Sequence, residues 1–372
     1  MPGVQTESPP VDRLAPVVRV TIVGAPPARE GVLRRHRTFV YFAVLLVLAD
    51  VAIGRFADVW ERHSPDDYAA RVAACAREPR DLVFVGGSPV AEGIDPGRVA
   101  GVVRDGRALH SVYAVGLSGG TTSDVYHAVL RACPTPPRVL VYGITASDLN
   151  DARHEPHGPH SLMTWGDWFD WVRTRPESAE WVTRHFLKAR AAGVSNLVRH
   201  RHGIRMWAVC QAEDVFPGQS PMVFREADEL RERAELLRTG NGYAPGRGFT
   251  AGRYDAAKAA GVAQPAFAFL HNYRTGSHLK DLHRLIDWCA TGGTQLILLD
   301  MPVTADLEAA FPAAFAEYRF RLVELERDRG ATVVRLSPAD AGLTDAEFAD
   351  VVHLNRAGAA RLSDRVRALL AR

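Results

Sequence analysis

The sequence predicts an α/β fold, a parallel sheet covered by helices on both faces. Short, predominantly apolar runs at 81–86, 111–115, 138–143, 294–300 and 331–336 have the length and composition of buried parallel strands. Helical stretches at about 121–132, 277–290, 305–328 and 355–371 alternate with them. Strand–helix alternation of this kind builds a parallel sheet that binds its ligands at the carboxyl ends of the strands.

Each strand has its own punctuation. Asp81-Leu-Val-Phe-Val-Gly86 ends in glycine, and Arg138-Val-Leu-Val-Tyr-Gly143 is launched by Pro136-Pro137. Thr294–Asp300 follows Gly292-Gly293, and Ala331–Leu336 follows Gly330. The last helix presents Leu362, Val366, Leu369 and Leu370 on one face. With 372 residues, 47% of them hydrophobic and 24% charged, the chain can build one large core or two small ones. A net charge of +2 leaves no field that would select nucleic acid. Cys75, Cys133, Cys210 and Cys289 are widely spaced and form no CxxC pair, so no zinc or redox motif is expected. In an exported domain they allow one or two disulfides.

The N-terminus reads as three pieces. Residues 1–37 carry six prolines up to Pro27 and little apolar periodicity, as expected of a disordered tail. Arg34, Arg35, His36 and Arg37 then precede an apolar run over 38–54, interrupted by Asp50, that just reaches bilayer-spanning length. The basic cluster on its N-terminal side places the tail in the cytoplasm and residues 64–372 outside, in the extracytoplasmic or periplasmic space. Ala52-Ile53-Gly54 is a weak cleavage site, which leaves a signal peptide as the alternative.

Residues 151–265 break the α/β rhythm and are expected to form a helical insertion or cap. Trp165, Trp168 and Trp171 read first as the core of that subdomain and second as a sugar-stacking platform. The basic stretch 184–205 reads as a solvated face. His154, His157 and His160 lie in a loop without further ligands for a metal. Asp300, ending the fourth strand, is placed to line a pocket.

Three loops carry chemistry. Val85-Gly86-Gly87-Ser88 puts a serine on the tight turn after the first strand, at the open edge of the sheet. Asp350-Val-Val-His353 spaces a carboxylate and an imidazole so that the first orients the second, whose other nitrogen is free to accept a serine proton. Val115–Thr122 contains Ser118-Gly119-Gly120, a loop entering a helix that offers backbone N–H groups to an anion. GxGxxG spacing and a Walker lysine are both missing from it, which argues against nucleotide binding.

In this order the three segments resemble the SGNH/GDSL hydrolase superfamily over residues 80–150 and 290–372. Gly86-Gly87-Ser88 looks like its first block, with Gly87 where the usual Asp sits. Ser118-Gly119-Gly120-Thr121 looks like the second, and Asp350-Val-Val-His353 like the last. The third block departs. Its Asn position is occupied by Ser147 in Thr145-Ala-Ser147-Asp148, and Asn150 would reach the site only if the loop bulges. The resemblance implies a flavodoxin-like three-layer α/β/α fold with five parallel strands and a catalytic Ser88–His353–Asp350 triad. It also implies an oxyanion hole from Ser88 and Gly119, with Ser147 or Asn150 as third donor. This chemistry uses no metal or organic cofactor.

The anchor, the relaxed third block and the insertion are similar in architecture to cell-envelope proteins of teichoic-acid D-alanyl transfer and alginate O-acetylation. That likeness implies an O-acyl or acetyl esterase, or an acyltransferase, acting on an envelope glycan. Expected partners are an acylated small molecule or glycan, the membrane through the N-terminal helix, and a polytopic acyltransferase. Two further readings stay open at this point, an inactive envelope scaffold and a partner subunit of a membrane acyltransferase.

Overall fold

The computed structural model describes residues 30–62, 68–152, 162–176, 179–208 apart from 202 and 206, 211, 241–243 and 267–372. The chain divides into two units, Met1–Ala49 and Asp50–Arg372. In the first, the helix α1 (Glu30–Arg55) begins; its stretch His36–Arg55 is long and apolar enough to cross a membrane. The prolines of the tail lie outside the described residues, as do His154, His157 and His160.

The second unit contains, in chain order, α2 (Ala57–Arg62), α3 (Tyr68–Ala76), β1 (Leu82–Gly87), α4 (Ser88–Gly93), α5 (Pro96–Val99), β2 (Val102–Arg104), β3 (Arg107–Leu109), β4 (Val112–Leu117), α6 (Thr122–Ala132) and β5 (Val139–Ile144). The insertion contributes α7 (Trp165–Thr174), α8 (Ala179–Val194) and α9 (Asn196–Arg199). The chain ends with α10 (Ser277–Thr291), β6 (Gln295–Asp300), α11 (Ala305–Ala310), α12 (Pro312–Arg329), β7 (Thr332–Arg335) and α13 (Arg356–Leu370).

The five long strands pair in parallel in the order β4-β1-β5-β6-β7. Counting only these strands along the chain, the order is 2-1-3-4-5, the flavodoxin-like arrangement, whose switch point lies beside its first strand. Ser88 follows that strand.

Period-two alternation assigns the side chains of each strand to opposite layers. On one face Val83, Val85, Tyr113, Val115, Leu140 and Leu298 meet α3, α6, α10 and α12. On the other, Leu82, Phe84, Ala114, Val141 and Leu299 meet α4, α5 and α13. The expected helix 305–328 is two helices. Pro312 has no N–H to continue α11 and drives Phe311 out of the helical region, to φ −133° and ψ 54°. The small hairpin β2–β3, turned by Asp105 (φ 49°) and Gly106 (φ 74°), was signalled by its Asp-Gly pair, which the periodicity reading passed over.

The insertion's tryptophans are mostly structural. Trp171, Met163, Val182 and Phe186 form a small core, and Trp168 stacks on Phe186 at 5.7 Å. Arg175 ties it to the α/β unit through a buried ion pair with Asp281 (2.7 Å), whose carboxylate also accepts from Ser123. The Cys75, Cys133 and Cys289 thiols are buried and unbridged, so among the described residues none of the disulfides an exported domain would allow is formed.

One detail of the sheet positions everything at its carboxyl edge. Gly116, Gly86 and Gly143 stand in register across β4, β1 and β5. A Cβ at Gly116 would run into Ala91, and one at Gly86 or Gly143 into Val90. Three bare backbones side by side let α4 lie directly on the sheet. Gly116→Ala is therefore expected to cost about 1–3 kcal/mol by overpacking. Gly193→Ala, in the open on α8, is expected to cost nothing. Thermal denaturation of the detergent-solubilised chain, with Tm lowered only in the first variant, checks this.

Candidate active site

Ser88 opens α4, with Gly87 as the N-cap and Pro89 in the first turn. A proline there lacks only an N–H that has no partner inside the helix, and its fixed φ starts the helix at once. The strand thus turns into the helix without a loop, and the serine is held at the sheet edge, only partly buried.

The segment 349–355 arrives from the far side of the fold. It is held by Ala349 N–H to His353 O (2.9 Å) and by Thr304 N–H to Val351 O (3.0 Å). Asn355 caps α13 by accepting from Gly358 N–H (3.0 Å) and donates through its amide to Ala346 O (2.7 Å). Val351 and Val352 are buried in the core, which turns Asp350 and His353, the residues on either side of them, toward the edge. α13 packs on α4 and α5 in the same layer, so the imidazole lands beside Ser88 although 265 residues separate them.

The three residues form a relay. His353 Nε2 lies 2.8 Å from Ser88 Oγ, and His353 Nδ1 lies 2.7 Å from Asp350 Oδ2. The other carboxylate oxygen of Asp350 accepts the Val352 and His353 N–H groups at 2.9 and 2.8 Å. A carboxylate cannot donate, so the proton between it and the ring sits on Nδ1, leaving Nε2 to accept from the serine hydroxyl. Partial burial pushes the Asp350 carboxyl up. The hydrogen bond and charge of His353 and the two backbone amides outweigh that, and its pKa lies below the ordinary value.

Two loops flank the serine. Leu117–Gly120 is a type II turn, closed by Gly120 N–H to Leu117 O (2.7 Å), with Gly119 at φ 71° in the position that favours glycine. The turn's own hydrogen bond leaves the Gly119 N–H outside it. After β5, Asp148 accepts from Thr145 N–H (2.6 Å) and Thr145 Oγ1–H (3.0 Å), a capping box. Thr121 and Asp124 repeat the device after β4. Thr122 Oγ1, 2.9 Å from the Asp148 carbonyl, joins the two loops. A side chain at Gly87 would meet Asp148 Oδ1 at 3.7 Å, so an aspartate there would set two carboxylates against each other.

The proposed third donors divide. Ser147 is partly buried and its hydroxyl pairs with Thr145 Oγ1 at 3.0 Å. Asn150 is fully buried and works as a clamp. Its amide donates to Phe269 O (3.0 Å) and its carbonyl accepts from Ala152 and Arg274 N–H (3.0 and 3.1 Å). The bulge that would swing it to the serine would break these bonds, so the oxyanion role expected for Asn150 is replaced by a role in holding 150–152 to 269–274. Sequence reasoning missed Arg71, buried on α3, which donates to the Gly116 carbonyl at 2.6 Å and fixes the end of β4. Its signal was an arginine on the apolar helix Tyr68–Ala76, a segment that alternation alone did not single out.

Asp300 ends β6 in register with Ile144 and accepts from Tyr318 Oη at 2.8 Å. Burial drives its pKa up to about 6, against the opposing effect of the tyrosine and of Arg319. Its folded-state pKa thus exceeds its unfolded value of 3.8. Between these values the native state binds more protons, so this carboxyl makes stability fall as pH rises from about 4 to about 6, by on the order of 2–3 kcal/mol in all. Asp300→Asn is expected to remove that slope. Denaturation of wild type and variant at pH 4, 5, 6 and 7 checks it, with the variant's advantage growing toward pH 7.

A scan against models of known protein families and a search of curated proteins both return no match to this chain.

Proposed function

We propose that the chain performs serine-dependent ester chemistry, as an O-acyl esterase or acyltransferase of the SGNH/GDSL type. The observation that carries the reading is the continuous relay Ser88–His353–Asp350, with its carboxylate held by two backbone amides. His353 Nε2 takes the proton of Ser88 Oγ as that oxygen bonds to the ester carbonyl carbon. The imidazolium so formed is stabilised by Asp350. The backbone N–H groups of Ser88 and Gly119 receive the negative oxygen. The tetrahedral adduct collapses to acyl-Ser88, and His353 returns the proton to the leaving alcohol. Water, or a sugar hydroxyl, then reverses the sequence and releases acid or transferred ester.

The cell-envelope glycan as substrate rests on the sequence resemblance and on the apolar helix, which would hold residues 64–372 at the membrane on its outer side. A polytopic acyltransferase is the partner that this arrangement would serve.

The detergent-solubilised chain is expected to react with a fluorophosphonate probe at Ser88, seen as an intact-mass shift. Ser88→Ala and His353→Ala abolish the reaction. Asp350→Asn, which loses the charge that orients the ring, slows turnover of p-nitrophenyl acetate about a thousandfold or more. A folded wild type that takes no label would transfer the assignment to an inactive scaffold.

A further inference from the structure

Asp50 is the one acidic residue in the apolar stretch His36–Arg55. An unpartnered carboxylate in such a stretch is costly in lipid. This one is satisfied by the insertion. Asp50 Oδ1 accepts from Ser195 Oγ–H at 2.7 Å and from Leu197 N–H at 2.8 Å, and the Asn196 amide lies 3.3 Å from Oδ2. Around that contact the stem 50–60 is docked on the insertion. A Cβ at Gly54 would stand 2.6 Å from the Asn196 amide, and one at Gly203 would strike the Trp60 carbonyl. Trp60 and Trp207 meet edge to face at 5.4 Å, and the Trp60 indole donates to Ile53 O at 2.9 Å.

Depth follows from helix geometry. Asp50 is five residues before Arg55, which ends the apolar stretch, or about 7.5 Å along the axis. If the stretch crosses a bilayer, the groups bonded to Asp50 lie at that depth below the outer boundary. An interfacial helix sinks its apolar face about 5–10 Å. The corner between α8 and α9 is built for that position. Val194 is 87% exposed, and Leu197 and Val198 are exposed beside it. On the stem, Phe56 and Val51 are exposed as well. The stretch 181–212 carries six Lys and Arg and no Asp or Glu, a charge suited to anionic phospholipid headgroups. A tryptophan pair just beyond the span matches the aromatic belt of a membrane interface.

We infer that the α8–α9 corner, hydrogen-bonded to Asp50, is seated in the outer leaflet, with Val194, Leu197 and Val198 in lipid and the surrounding basic residues on anionic headgroups. The inference rests on the membrane-spanning reading of α1. The insertion then has a second hold on the bilayer.

The test uses the full chain with Cys210→Ser, in which Cys75, Cys133 and Cys289 are buried from labelling. Single cysteines replace Leu46, Val194, Leu197 or Asp328, carry a fluorophore, and are reconstituted into phosphatidylcholine–phosphatidylglycerol vesicles. Nitroxide-bearing lipid and aqueous iodide, present on both sides, are the quenchers. At Val194 and Leu197 the expected result is strong quenching by the lipid and little by iodide, as at Leu46, with Asp328 the reverse. If those two positions follow Asp328 while Leu46 follows lipid, the anchor stands and the seated corner is overturned. Shielding from both quenchers at Val194 and Leu197 would assign a protein cover and overturn it too. Iodide quenching at Leu46 would sink the anchor and this inference with it.

Discussion

The close approach of α4 to the sheet is the constraint on which the rest of the site depends. Gly116, Gly86 and Gly143 present three adjacent strands without side chains at one level, and Val90 and Ala91 occupy the space. Close packing tolerates no added methyl there. Because α4 begins at the residue after β1, its depth on the sheet also sets where Ser88 stands. Arg71, bonded to the Gly116 carbonyl, holds the same level from the opposite layer.

From that fixed serine the remaining parts are brought in by independent means. His353 and Asp350 come on the chain entering α13, pinned by two buried valines and by backbone hydrogen bonds to Thr304 and within the loop. The loops after β4 and β5 each carry a Thr–Asp capping box and are joined through Thr122. In each box one carboxylate oxygen, Oδ2 of Asp124 or of Asp148, accepts the N–H and O–H of its threonine, which fixes the turn after its strand.

The insertion and the stem follow a different logic. Their contacts to each other are specific, Asp50 with Ser195 and Leu197 and a tryptophan pair, while Arg175 with Asp281 ties the insertion to the α/β unit. Side chains that would interrupt an apolar helix or a subdomain core are thereby placed where they hold one segment to another. Asp50, which weakens the sequence case for a span, is the residue that couples the stem to the α8–α9 corner.

Much of this was legible in the residues alone. The five strands, most of the helices, the serine after the first strand and the Asp350-Val-Val-His353 spacing were all readable, because apolar periodicity and a three-residue offset are local properties of a chain. The break at Phe311 was written in Pro312, and the hairpin in Asp105-Gly106, both local signals as well. The tertiary structure decided what depends on distance across the fold. It joined residues 88 and 353 and aligned three glycines from separate strands into one floor. It engaged Asn150 with 269 and 274, and gave Asp50 its partners at 195–197. Each is a contact between segments far apart in sequence, whose geometry is set by packing and by the need of every buried polar group for a partner. No pattern read along a single chain carries that information.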